Sequence, residues 1–228
     1  MKRIGYCLII ASLVLMNSCL GVSADIVMRA DGSGSVTLKY RVSQMLESLG
    51  RLDGNERWPA IPVGKADFER TVARIPGLRL SSYSVTEGPR RYSKPPNSNP
   101  LGDKDLITSV KLDFKDTAAL LAFLDSTGSR ASLVQENGKS ALRLVLLDPA
   151  TDALDADLLS LFEKISAGYE ISLSFTAPKG AALSVSPPSV SAARVVPQGK
   201  KVSFAIGTGE LLALKDGLAL EIEMKNEK

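Results

Sequence analysis

The chain has 228 residues, with 28 lysines and arginines against 25 acidic residues, two cysteines and no histidine. Without histidine there is no Ser-His-Asp triad, no Cys-His pair and no zinc site built from the commonest ligands. The nearly even charge, closer to even once Lys2 and Arg3 leave with a leader, offers nothing to nucleic acid, and Gly64-Lys65 lacks the glycine spacing of a phosphate loop.

The amino end carries Lys2 and Arg3, then the apolar run "IGYCLIIASLVLM" from Ile4 to Met16. That run is too short for a permanent transmembrane helix and reads as an export signal covering residues 1–18. Two cleavage sites compete. A lipoprotein peptidase would cut before Cys19, whose thiol is the acceptor for diacylglycerol; an ordinary signal peptidase would read "VSA" before Asp25. Cys7 departs with the leader, so the mature chain holds at most one cysteine and no internal disulfide. A lone exported thiol is open to oxidation unless acylation consumes it. The expectation is an exported domain, residues 19–228, held at the membrane by acyl chains on Cys19. The alternative is a secreted or periplasmic protein beginning at Asp25.

Strand alternation starts soon after. Ile26 and Met28, a turn at Asp31 to Gly34, and then Val36, Leu38, Tyr40 and Val42 predict a hairpin. Asp31, Ser33 and Ser35 spell D-x-S-x-S, which in some adhesion domains binds a metal ion where a helix follows; a strand follows here, so the segment reads as a turn. A short helix is expected near Ser43 to Leu49. The connection "RLDGNERWPAIPVG" then places the single tryptophan, Trp58, beside Asp53, Asn55, Glu56 and Arg57, stiffened by two prolines. Such a loop either presents a recognition surface or closes the end of the core with Trp58 while Glu56 and Arg57 pair at the rim.

Phe68, Val72 and Ile75 mark a helix beginning near Asp67 and stopped by Pro76-Gly77. Strands follow at Leu78 to Thr86 and Ile107 to Phe114, separated by a Pro-, Ser- and Asn-rich stretch that reads as a mobile loop at about 87–105. Arg90, Arg91 and Lys94 in that stretch either touch anionic lipid headgroups or, on the favoured reading, belong to a solvated linker, since three charges with no apolar wedge attract only weakly. A second helix is capped by Asp116 and ended by Gly128. Strands at Arg130 to Gln135 and Ala141 to Leu147 flank Asn137-Gly138, a pair suited to a tight hairpin. Leu154, Leu158, Leu161, Phe162 and Ile165 outline a third helix from about Asp152 to Ala167.

The carboxy-terminal part is strand-rich: "YEISLSFTAP", "KVSFAI" and "LALEIEM" each alternate, and the Pro-rich "SVSPPSVSAARVVPQ" between them suits edge strands or loops. The expected fold is α+β, a mainly antiparallel sheet with helices packed on one side.

A leader ending in Cys19, the hairpin "ADIVMRADGSGSVTLKYRVS", and the late "ISLSFTAPKG" with "KKVSFAIGTGELLALKDGLALEIEM" resemble the LppM-like bacterial lipoprotein domain. The central "LDGNERWPAIPVGKADFERTVARIPGL" is similar to spirochaete envelope lipoproteins of no assigned activity. The resemblance implies an extracytoplasmic module that contacts lipid or glycolipid, covers about half of the chain, and carries over no catalytic residue. The chain departs from the LppM pattern in having no hydrophobic carboxy-terminal segment.

These readings converge on a lipid-anchored protein of the cell envelope acting as a non-enzymatic binding module, with no cofactor and no metal. Its partner would be an envelope protein, a lipid or a glycolipid. A carboxylate-dependent hydrolase of envelope polymers is the rival class, and it needs two carboxylates facing one cleft.

Overall fold

Alternation of apolar and polar side chains along most of the chain makes strands that bury one face and wet the other. The computed structural model describes residues 20–43, 64–89, 104–125, 130–136, 139–148, 166, 168–186 and 190–224. The strands are β1 (Leu20–Met28), β2 (Gly34–Ser43), β3 (Leu78–Pro89), β4 (Lys104–Phe114), β5 (Ala131–Glu136), β6 (Lys139–Leu147), β7 (Glu170–Thr176), β8 (Ala181–Ser186), β9 (Arg194–Gln198), β10 (Lys201–Gly207) and β11 (Leu218–Met224). The helices are α1 (Lys65–Arg74), α2 (Thr117–Leu124) and α3 (Thr208–Leu212).

Seven strands form one sheet in the order β3-β4-β2-β1-β7-β10-β9, and four form a second in the order β5-β6-β11-β8. Every pairing is antiparallel except β1 with β7. One hydrophobic cluster joins the inner faces of both sheets. Ile26, Val36, Leu112, Phe175 and Phe204 come from the larger sheet, and Leu142, Leu220 and Ile222 from the smaller. Each such fully buried side chain contributes on the order of 1.5–3 kcal/mol.

This is a mostly β protein, which corrects the expected α+β fold with helices packed over the sheet. The apolar stripes of the expected helices would suit the cover that the strands require. Among the described residues the strands are covered mainly by a second sheet. Helix α1 buries only Phe68, and α2 only Ala119 and Leu120.

Several local expectations hold in detail. Asp31 makes the β1–β2 turn by accepting from the Ser33 amide at 3.0 Å and the Ser33 hydroxyl at 2.7 Å, while Gly32 takes φ +80°. Those hydrogen bonds, the Ser33 hydroxyl first, hold the exposed Asp31 carboxyl below the usual range. Asp116 caps α2 by accepting from the Ala119 amide at 2.9 Å. Helix α1 starts two residues before the expected Asp67 and ends ahead of Pro76 and Gly77, the latter at φ +83°. Phe68 sits between Tyr40 and Tyr83, with ring centroids 6.1 and 6.3 Å away. Strands β8 and β9 are edge strands, and Pro197 lies on the latter, where a missing amide is tolerated.

Other boundaries move. Strands β3 and β4 run to Pro89 and from Lys104, so the expected loop at 87–105 loses both ends to paired backbone, and residues 90–103 lie outside the described residues. Helix α2 stops at Leu124, short of Gly128, with Asp125 as its C-cap. Ser43 ends β2 rather than opening a helix; residues 44–50 lie outside the described residues, as do Asn137, Gly138 and all of the expected helix from Asp152 to Ala167 except Ser166. Among the described residues no helix is long and apolar enough to cross a membrane.

Candidate functional site

The solvent-facing side of the seven-stranded sheet is set by register. Ser23 on β1 lies opposite Lys39 on β2 and, across the other edge of β1, opposite Ser172 on β7. Gly21, two residues earlier, lies opposite Arg41. Side chains two apart share a face, so Gly21, Ser23, Lys39, Arg41 and Ser172 present to one surface. With Tyr169 they line a groove of about 410 Å³.

A buried carboxylate stands at the end of this groove. Asp105, the second residue of β4, is fully inaccessible. It accepts from the Tyr169 hydroxyl at 2.9 Å and pairs with the Arg41 guanidinium at 3.3 Å. Removing two charges from water is costly unless they are paired and hydrogen-bonded, and both conditions are met here. Tyr169 is fixed from three directions. Its amide donates to the Ser166 carbonyl, its carbonyl accepts from the Thr208 amide, both at 2.9 Å, and its phenol reaches Asp105. The hub thus ties β2, β4 and the entry to β7 together at one end of the sheet.

Charge around the groove is largely balanced. Glu170 accepts from Arg194 at 2.7 Å, and farther along the same face Asp25 pairs with Lys201 at 3.3 Å and accepts from the Ser174 hydroxyl. Lys39 is exposed and has no ion-pair partner among the described residues. The hydroxyls of Ser23 and Ser172 likewise have no hydrogen-bond partner among the described residues. Among the described residues no cluster of three or more acidic or cysteine side chains has metal-binding geometry.

The chain matches no family model and no curated sequence. The site therefore stands on its own chemistry. Of the residues singled out from sequence, Cys19, Asp53, Asn55, Glu56, Arg57 and Trp58 lie outside the described residues; Cys19 is followed at once by the first residue of β1. The groove residues were missed. Lys39 and Arg41 alternate with Leu38, Tyr40 and Val42, so by pattern they belong to the wet face of a strand, and Ser23 lies in the "VSA" of a peptidase site. Nothing local distinguishes them, because the pairing of β1 with β7 is what assembles the row.

Proposed function

We propose that this is an exported lipoprotein, acylated at Cys19, that serves in the cell envelope as a non-enzymatic binding module. The observation that carries the reading is the position of β1. It begins at Leu20 and lies in the middle of the larger sheet, paired on both edges.

Cleavage before Asp25 would delete Leu20 to Ala24, which face Val42 to Leu38 on β2, and in the same stroke remove Val22, Ser23 and Ala24 from their places beside Ile171, Ser172 and Leu173 on β7. Central strands are not dispensable in this way. Cleavage before Cys19 leaves β1 whole and supplies the thiol that lipid attachment needs. The LppM-like resemblance adds support of another kind, because its quoted segments fall on β1, β2, β7 and β10, neighbours in one sheet, and continue through α3 to β11. A binding rather than hydrolytic role is favoured by the ion pairs that engage Asp25, Asp105 and Glu170.

Detergent-phase partition and intact-mass measurement test the reading. The mature chain should begin at Cys19, carry the mass of its acyl chains and enter the detergent phase, while Cys19→Ala should remain in the aqueous phase. An unmodified mature chain beginning at Asp25 would overturn it.

A further inference from the structure

We infer that the groove beside Lys39 binds a phosphate group, presented by a small phosphate ester or by a phospholipid headgroup. The inference deepens the binding-module reading and rests on it, but it does not require the acyl group.

The argument begins with the row Lys39, Ser23, Ser172. Register sets these residues side by side on β2, β1 and β7, over roughly 10 Å at the usual strand spacing. All three line the groove, and none has a side-chain partner among the described residues. An ammonium and two hydroxyls are therefore left facing one open space.

Charge narrows the ligand. Two of the carboxylates at the groove are matched, Asp105 by Arg41 and Glu170 by Arg194. Among the described residues that leaves the Lys39 ammonium as the uncompensated charge on the groove wall, and an ammonium acts on phosphate as a point charge. Nearby, the Arg41 guanidinium adds a second cation already held in place by Asp105. Geometry narrows it further. Lys39, Ser23 and Ser172 stand in a row on one face of the sheet, and an ammonium with two hydroxyls offers more donors than the two oxygens of a carboxylate would use, which suits the several oxygens of a phosphate. Gly21 keeps the floor low where the groove meets Tyr169, since a Cβ there would stand 3.4 Å from the tyrosine ring.

The groove also lies close to where the anchor would be. Gly21 follows Cys19 by two residues, a reach of at most about 7 Å. An acylated Cys19 would hold the groove at headgroup level, where phosphate esters are dense. A soluble ester would meet the same donors.

The test is calorimetric titration of the purified mature chain in neutral detergent with sn-glycerol 3-phosphate, and with glycerol as the uncharged control. Glycerol phosphate should bind and glycerol should not. Lys39→Gln should weaken binding about tenfold or more, the loss of one charge-assisted contact, without moving the thermal midpoint. Should Lys39→Gln lower the midpoint, Lys39→Arg decides instead: it keeps the charge and must retain binding. Vesicles of phosphatidylcholine containing phosphatidic acid, compared with phosphatidylcholine alone, separate the sources. Displacement of glycerol phosphate only by the former assigns the lipid headgroup, and its retention assigns the soluble ester. Absence of binding to both glycerol phosphate and phosphatidic acid vesicles, or unchanged binding by Lys39→Gln, overturns the inference. The unacylated Cys19→Ala chain should bind glycerol phosphate as the parent does, so failure of the anchor and failure of the site are read separately.

Discussion

Tyr169 reaches Asp105 with its hydroxyl at 2.9 Å while its ring rests against Gly21, the one residue on β1 with no side chain to obstruct it. Arg41 closes on the other carboxylate oxygen at 3.3 Å. Truncating the two partners should have unequal costs. Tyr169→Phe removes one hydrogen bond and should cost about 1–2 kcal/mol. Arg41→Ala removes the guanidinium paired with a buried carboxylate and should cost about 3–5 kcal/mol. Urea unfolding at constant slope measures both, and equal losses would show that the ion pair is not what Asp105 depends on.

The amino-terminal boundary can be tested on folding alone. A chain starting at Leu20 should unfold in one cooperative transition, whereas one starting at Asp25 lacks the β1 residues that face Leu38 to Val42 and Ile171 to Leu173. It should be partly unfolded at room temperature, by circular dichroism and by proteolysis within β2. Identical melting of the two chains would remove the structural case for retaining Leu20 to Ala24.

Two glycines should respond unequally to the same substitution. An added Cβ at Gly34 would lie 2.0 Å from the Val27 carbonyl oxygen and 2.3 Å from the Phe114 ring, and the first of these is backbone that cannot turn aside. Gly34→Ala should therefore cost at least about 2 kcal/mol. Gly21→Ala makes only an ordinary contact at 3.4 Å and should cost less than about 1 kcal/mol. Thermal denaturation of both variants makes the comparison; a benign Gly34→Ala would show that β1 and β2 do not approach as closely as the register requires.

Alkaline stability should fall through Tyr40. Burial beneath α1 pushes its phenol up to about 12, above the value near 10 of an unfolded tyrosine. The folded state thus favours the neutral phenol. Its contribution is fully present below pH about 10 and is lost as the pH rises from there through about 12. Tyr40→Phe should flatten that decline, followed by unfolding midpoint against pH, and an unchanged slope would place the alkaline sensitivity elsewhere.

What could be read from sequence was local. The Asp31 turn, the Asp116 cap and the alternation in β2, β7, β10 and β11 each lie within a dozen residues, where periodicity and capping chemistry act. The start of β1 was masked by its composition, since Gly21, Val22, Ser23 and Ala24 are also the small residues a signal peptidase reads. The second sheet was not seen because apolar alternation states that a strand needs cover without stating what covers it. The row of Lys39, Ser23 and Ser172 was beyond reach for a related reason: it exists only once β1 has paired with β7, and no local signal encodes a partner so distant along the chain.

That same pairing has a consequence for the order of folding. Synthesis delivers β1, β2, β3 and β4 first, and these can close into an antiparallel half-sheet before the rest of the chain is made. The far edge of β1 must then wait, its backbone groups unpaired, until β7 has been made. Such distant pairings form slowly. During that interval the half-sheet presents an open, apolar-faced edge to any other strand, its own or another chain's, and this is where the nascent protein is most exposed to aggregation and has most need of a holding chaperone.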